Sequence, residues 1–360
     1  MKQTPNIQIQ PLHLFSGKTL PMYRSVNTLA VLAHYASLMG LDKTALLKGS
    51  GIKIRDLDDP DVLVTPDQEI SVMRNIVKLV PDPKVGLIIG LHYHIGVIGK
   101  IGAAASSSDT LLDAIRLLFQ FTELMMTYFH FDLTVKDNLA FVRMDELVSE
   151  KDIRRFMCER ELASIYRISS DVIGIPVRYR EIRLAYPKPS YASYYKEFFQ
   201  CPVEFNADAH LLVFDSKHLF RQLPMANPLT RKIYEKECRQ LSLRIKKQET
   251  IAKRIHQEIL FHQDGIPNFD QLARYMNMSR RTLSRRLVEE GTSYRDLLSG
   301  ILKKKAVHLL QTTTMPIEQI ATELGYHDLA NFYRAFKRWT GHNPGSYRRK
   351  NHITDNVNKF

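Results

Sequence analysis

Apolar residues recur at helical spacing along the first part of the chain and change to strict alternation near residue 125, which predicts an α+β unit that opens with helices. Between Ser25 and Met39 the positions Leu29, Leu32, Ala33 and Ala36 share one face, and Gly40 supplies the stop. A brief helix is expected at Lys43–Lys48. Thr65-Pro66-Asp67-Gln68 offers an N-cap and a first-turn proline for a helix over Glu69–Leu79, which Pro81 and Pro83 halt. Ser108 is read as the cap of a helix over Thr110–Thr122. Residues 1–24 are polar and broken by proline, and are read as a short ragged arm without the apolar core of a signal peptide.

Phe129, Phe131, Leu133 and Val135 alternate with polar or small residues, Asp137-Asn138 is a turn signal, and Phe141–Met144 follows, so a β-hairpin is expected. Ser149-Glu150-Lys151-Asp152 resembles a capping box opening a long helix to about Ile173, closed by Gly174 and Pro176. Next come a strand at Arg180–Tyr186, a short helix at Tyr191–Phe199 and a second hairpin from Val203–Phe205 to Leu211–Phe214. Residues 25–222 are thus an α+β regulatory domain. Leu223–Pro228 breaks the pattern, and 223–249 is read as a connector whose helix Leu229–Lys247 joins domains or pairs with a second copy.

Residues 250–350 read as all-α, with 351–360 as a tail. Phe269–Met276 keeps Leu272, Ala273 and Met276 apolar, Asn277-Met278 turns, and Ser279 caps Arg280–Glu289, where Leu283 and Leu287 face inward. That is the arrangement of a helix-turn-helix, whose second helix presents side chains to the major groove. Arg281, Ser284 and Arg285 then point outward, with Arg280 and Arg286 on the flanks. The same pattern returns about fifty residues later. Ile317–Leu324 holds Ile320, Ala321 and Leu324; Gly325-Tyr326-His327 turns; Asp328 caps Leu329–Thr340, which buries Phe332, Ala335 and Phe336 and exposes Ala330, Asn331 and Arg334. Lys337 and Arg338 extend its basic face. Between the units Ser293–Leu310 reads as one helix, roughly 27 Å long at ~1.5 Å per residue, close to one ~34 Å turn of B-DNA.

Charge sharpens this picture. The chain carries +13, and residues 246–350 hold 19 Lys+Arg against 10 Asp+Glu, so +9 of it lies there. A concentrated basic surface suits a polyanion, because neutralising phosphates releases condensed counterions. Lys303-Lys304-Lys305 on the joining helix face phosphates or water. The fold expected is therefore an α+β N-terminal domain followed by an all-α domain with two helix-turn-helix units joined by a long helix. Arg281, Ser284, Arg285, Asn331 and Arg334 are the expected base readers, since Arg suits guanine and Asn suits adenine. Ser279, Arg280, Arg286, Lys304, Lys337 and Arg338 are expected to meet phosphates or to position the helices.

The stretch Pro316-Ile317-x-x-Ile320-Ala321-x-x-Leu324-Gly325-Tyr326-x-Asp328-x-x-x-Phe332-x-Arg334-Ala335-Phe336-Lys337-Arg338-Trp339-x-Gly341-x-x-Pro344-x-x-Tyr347-Arg348 resembles the signature of the AraC/XylS family of bacterial transcription regulators. Ser279-x-Arg281-x-Leu283-x-Arg285-x-Leu287 and Gly291-x-Ser293-Tyr294 resemble the family's first unit. Leu302, four residues before Ala306, departs from it, since the family often has Arg there. Phe198-Phe199-x-Cys201-Pro202-Val203-x-Phe205 with Leu212-x-Phe214 resembles the N-terminal domain of a subgroup labelled arabinose-binding, a label that does not commit the chain to arabinose. The resemblance implies a double-stranded DNA operator, a small-molecule effector, homodimerisation and, for an activator, contact with RNA polymerase.

Other chemistry has thin support. Cys158, Cys201 and Cys238 are too far apart for a disulfide framework or a CxxC ligand set, and no apolar run approaches a membrane span, so a reducing cytoplasm is expected. His92-Tyr93-His94 places two imidazoles two residues apart, on one face if the segment is extended, yet no acidic or Cys partner adjoins them, so neither a metal nor any other cofactor is expected. Tyr128-Phe129-His130-Phe131 reads first as core; if it lines a small-molecule cavity, Tyr128 and His130, with His92 and His94, are the effector contacts. No catalytic motif appears and no enzyme is expected. The alternative is a redox- or metal-responsive regulator, or an enzyme fused to a DNA-binding module, working through Cys158 or the His92/His94 pair.

Overall fold

Alternation in the middle of the chain builds one mixed sheet, and the helical stretches pack around it or form a separate helical unit. The structure, a computed structural model, describes residues 9–13, 23–59, 61–125, 127–148, 150, 152–248, 250–261 and 266–351. Two compact units divide at the end of the predicted connector, Met1–Glu249 and Thr250–Phe360.

In the first unit the order is β1 (Ile9–His13), β2 (Arg24–Ser25), α1 (Asn27–Leu38), α2 (Lys43–Leu47), β3 (Leu63–Val64), α3 (Pro66–Leu79), α4 (Val85–Gly90), α5 (Lys100–Ser106), α6 (Leu111–Gln120), β4 (Phe129–Lys136), β5 (Leu139–Glu146), α7 (Arg154–Ile173), β6 (Tyr179–Leu184), α8 (Ala192–Phe199), β7 (Val203–Phe205), β8 (His210–Asp215) and α9 (Pro228–Gln248). The second unit follows as α10 (Ile251–Phe261), α11 (Phe269–Tyr275), α12 (Arg280–Glu289), α13 (Tyr294–Thr312), α14 (Ile317–Glu323), α15 (Leu329–Thr340) and α16 (Pro344–Asn351).

The first hairpin forms as its sequence requires. β4 and β5 pair from Phe129 opposite Glu146 to Lys136 opposite Leu139, and Asp137 and Asn138 take the left-handed φ of a tight turn. Phe129, Phe131, Leu133 and Val135 are buried on one face. Thr65 caps α3 in a reciprocal box with Gln68, and Gly40 closes the first helix with φ of +72°.

Four expectations need correction. The second hairpin does not exist. The six-stranded sheet runs β1-β4-β5-β8-β6-β7, so β8 lies between β5 and β6 while β7 pairs in parallel with β6. A parallel pair needs a crossover, and α8 is the crossover; nearness in sequence suggested the wrong partner. The N-terminal arm is not wholly ragged, because β1 adds an edge strand with Leu12 opposite Leu133, and Arg24–Ser25 pairs with β3. Alternation in Ile7-Gln8-Ile9-Gln10 was the overlooked signal. The capping box before α7 is not formed: the helix starts at Arg154 after an Ile153 that offers no side-chain cap, while Glu150 and Asp152 pair with Arg74. Ser149 and Lys151 lie outside the described residues. Thr110, not Ser108, caps α6 by accepting from the Asp113 N–H.

The helix α9 is part of the first unit rather than a free link. Cys238, Ser242 and Ile245 are buried, Ser242 Oγ donates to Glu123, and Lys100 lies 2.9 Å from Glu237. Its opposite face leaves Leu229, Ile233 and Leu243 exposed.

The interior of this unit carries charge. Arg24 is 1% exposed and Glu69 is fully buried. Arg24 Nη1 lies 3.3 Å from Glu69 Oε2 and Nη2 donates to Thr127 O at 2.9 Å. The Tyr128 hydroxyl donates to the same carboxylate, and the guanidinium sits 4.5 Å from the Tyr128 ring centroid. Taking either ion away strands the other in a medium that cannot solvate it. Arg24→Leu is therefore expected to destabilise the unit by about 3–5 kcal/mol, and Arg24→Leu with Glu69→Leu to recover most of that loss. Urea midpoints of the two variants against the parent check this; equal losses would contradict it.

Candidate nucleic-acid interface

The first helix-turn-helix is held from inside by aliphatic contacts. Leu283 and Leu287 of α12 are at most 1% exposed and pack on Leu272, Ala273 and Met276, with Ile251, Ile255 and Ile259 of α10 and Ile301 of α13 completing the cluster. Asn277 adopts φ of +52° in the turn, and the Ser279 hydroxyl accepts from the Thr282 N–H at 3.1 Å, which starts α12. With that face buried, Arg281, Ser284, Arg285 and Arg286 are all exposed.

Arg280 behaves differently from its neighbours. Its Nη1 lies 3.1 Å from both carboxylate oxygens of Asp270, and its guanidinium stands 5.7 Å from the Phe269 ring centroid. It braces α12 against α11. Arg285 has a looser contact, 3.6 Å to Glu289 between two exposed side chains, which water screens heavily.

The second helix-turn-helix repeats the design with aromatic packing. Phe332 and Phe336 of α15 are fully buried against Ile320, Ala321 and Leu324 of α14 and Leu302, Ala306 and Leu310 of α13. Gly325 turns with φ of +78°, and Asp328 Oδ1 accepts from the Ala330 N–H at 2.8 Å. Ala330, Asn331, Arg334, Lys337 and Arg338 are exposed. Arg334 Nη2 donates to Asn331 Oδ1 at 2.6 Å, one helical turn apart.

One helix serves both cores, because α13 places Ile301 in the first cluster and Leu302, Ala306 and Leu310 in the second, with Leu298 packed against each. Leu302 is 7% exposed, so a long basic side chain here would displace packing that the second unit uses. Lys303, Lys304 and Lys305 lie on the exposed side of the same helix.

Comparison with known proteins agrees with this geometry. Residues 40–223 match the family model described as the arabinose-binding domain of AraC transcription regulator, N-term, and residues 272–350 match a helix-turn-helix domain model. The Ornithine utilization regulator of Pseudomonas aeruginosa is 30% identical over 339 residues, spanning 94% of this chain and 98% of that protein. The chain belongs to the AraC family of transcription regulators. A second relative, the HTH-type transcriptional regulator VqsM of Pseudomonas aeruginosa, is 25% identical over 315 residues, covering 84% of this chain and 95% of VqsM. The crystal structure of transcriptional regulator CdpR from Pseudomonas aeruginosa covers 90% of this chain and 98% of its own at 22% identity, with a TM-score of 0.45. No helix among the described residues is long and apolar enough to cross a membrane.

The residues singled out in the regulatory domain of this AraC-family chain fall into separate environments. Tyr128 is fully buried in the Arg24–Glu69 cluster. His130 lies on β4 with Nε2 3.4 Å from Asp132. His92 lies in the turn after α4, and His94, extended in backbone, caps the short helical turn Ile95–Ile98: His92 packs its ring 5.1 Å from that of Tyr35, and His94 Nδ1 accepts from the Gly96 N–H. Burial first, then the neighbouring His34, Arg167 and His94, hold the His92 pKa below the usual imidazole value. Cys158 is buried on α7, where burial pushes its thiol well above the usual range.

Sequence reasoning missed α10 and α16. The spacing of Ile251, Ile255 and Ile259 was the signal for the first, and Glu290 caps that helix by accepting from the Ile251 and Ala252 N–H groups at 2.8 and 2.7 Å. In α16, Tyr347 packs against Phe336 with centroids 5.4 Å apart and Arg348 donates to Met315 O at 2.5 Å, so the end of the family motif staples the second unit shut.

The Asn331–Arg334 bond makes these two side chains one element. Asn331→Ala and Arg334→Ala are expected to be non-additive in operator affinity, the double variant losing less than the two singles combined by 0.5 kcal/mol or more, as is usual for contacting residues at roughly 0.5–3 kcal/mol. A double-mutant cycle by fluorescence anisotropy reads the coupling, and strict additivity would contradict it.

Proposed function

We propose that this AraC-family regulator reads double-stranded DNA through α12 and α15, and that a small molecule bound by the first unit controls the outcome. The observation that carries the reading is that two helices with exposed Arg and Asn faces are built on one shared helix, α13. At ~1.5 Å per residue its 19 residues span about 28 Å, near the ~34 Å repeat between successive major-groove faces. Arg281, Ser284, Arg285, Asn331 and Arg334 take base edges. Arg286, Lys304, Lys337 and Arg338 meet phosphates. Ser279 and Arg280 act through α12, by capping and by bracing.

The operator is first selected from randomised duplex with the full chain. On it, Arg285→Ala is expected to cost about 1–3 kcal/mol at one base pair and relax preference there. Lys304→Ala is expected to weaken all duplexes alike and reduce the salt slope by about 1. Footprinting and salt titrations on matched and mutated operators decide between these patterns; a uniform loss for Arg285→Ala removes it from the base readers.

For the effector, the name of the Ornithine utilization regulator makes ornithine and related amino acids the first compounds to screen. A ligand that binds only the folded state raises the melting temperature of the full chain, and the same ligand must shift operator affinity. For assembly, the exposed Leu229, Ile233 and Leu243 of α9 are the proposed contact between two copies. Ile233→Glu with Leu243→Glu is expected to shift the chain from dimer to monomer in analytical ultracentrifugation, and an unchanged sedimentation coefficient would exclude this face. Contact with RNA polymerase follows if the regulator activates.

A further inference from the structure

The register of the sheet brings together three side chains that the DNA-binding reading does not use. His210 opens β8 opposite Met144 of β5, so Glu146, two residues along β5, points to the same side. Cys158, in the second turn of α7, faces them: its Sγ lies 3.6 Å from His210 Nε2, and His210 Nε2 lies 3.0 Å from Glu146 Oε1. One ligating atom from each of the three falls within 4.8 Å of the others.

We propose that Glu146, Cys158 and His210 form a binding site for a thiophilic divalent cation of the Zn2+ class. Thiolate, imidazole and carboxylate are its three common donors, and with ~2.3 Å to sulfur and ~2.0–2.2 Å to nitrogen and oxygen the edges of its tetrahedron are about 3.4–3.6 Å. The sulfur–nitrogen separation already fits, and the nitrogen–oxygen separation widens by a few tenths of an ångström. Three protein donors leave a fourth position for water or an added ligand.

The surroundings give the uptake a structural consequence. His210 Nδ1 accepts from the Ala185 N–H at 3.2 Å, so the ring proton sits on Nε2 and points at Glu146. Arg154 donates through Nε and Nη2 to Glu146 and through Nη2 to Ala185 O at 3.3 Å. When the cation arrives, the Cys158 Sγ–H bond breaks and its proton leaves to solvent as the metal–sulfur bond forms. Nε2 gives its lone pair to the metal only after the ring proton has moved to Nδ1, where it opposes the Ala185 N–H. That amide must let go. Glu146 turns Oε1 to the cation while Oε2 keeps its 2.9 Å contact with Arg154. Occupancy is thereby coupled to the end of β6, the strand that carries β7 at the sheet edge.

The test uses the reduced full chain, freed of metal by chelator and titrated with Co2+, whose tetrahedral and thiolate charge-transfer bands report geometry and sulfur ligation. One equivalent is expected to give both, Zn2+ to displace it, and Zn2+ to accelerate hydrogen exchange at the Ala185 amide. Cys158→Ser and His210→Gln are expected to abolish the charge-transfer band and to reduce Co2+ affinity at least tenfold, respectively, with circular dichroism unchanged. The chain has three cysteines, so if Cys158→Ser does not fold, the Cys201→Ser/Cys238→Ser variant decides by retaining the band. Absence of a charge-transfer band in the parent, or its loss in the Cys201/Cys238 variant, overturns the proposal.

Discussion

The apolar seam along α13 is the contact on which the DNA-reading half depends. Ile301 closes one core, Leu302, Ala306 and Leu310 close the other, and Leu298 touches both. Without that seam each helix-turn-helix is a small cluster unable to fix its orientation against its twin. With it, the outward faces of α12 and α15 are set by what their inward faces bury. Truncating a side chain as large as Phe332 in such a core costs about 3–5 kcal/mol, a large share of the ~5–15 kcal/mol that stabilises a typical domain.

The two helix-turn-helices solve the same problem with different side chains. The first packs aliphatics and adds polar braces, Arg280 on Asp270 and Glu290 on the start of α10. The second packs aromatics, Phe332, Phe336, Trp339 and Tyr347, and is stapled by Arg348. Both leave a short run of Arg, Ser or Asn facing out. Arg offers two donors and Asn a donor and an acceptor at fixed separation, Ser a single hydroxyl, and all of them can meet base edges; they are held by rigid helices rather than loops.

The regulatory half is built on the opposite principle, with charge and hydroxyl groups inside. Arg24, Glu69 and Tyr128 join β2, α3 and the approach to β4. On α7, burial pushes the Glu159 carboxyl up to about 7 even though Tyr191 and Tyr195 donate to it and Arg155 is near. Buried polar groups are costly unless every one is matched, so a change of partner at one of them moves the elements they tie together.

How much of this was legible beforehand varied with the range of the interactions. Caps and turns are local, and Thr65, Ser279, Asp328, Gly325 and the Asp137-Asn138 turn do what their residue types require. The helical period fixed which faces of α12 and α15 are buried, and so which arginines are exposed; a dense family motif added the second unit's identity. Strand partners are not local. Nothing in Val203–Phe205 says that β6 lies beside it in parallel, because that pairing is decided by α8 swinging the chain across the sheet and by β8 being claimed by β5. The meeting of Glu146, Cys158 and His210 is likewise a product of sheet register and helix docking across tens of residues, and the brace between Arg280 and Asp270 appears only once α11 and α12 have crossed. The sequence by itself determined many of the elements, the buried faces of α12 and α15 and the DNA-binding class; the tertiary structure decided which strands adjoin and which polar groups meet, because those depend on contacts between residues that no local pattern connects.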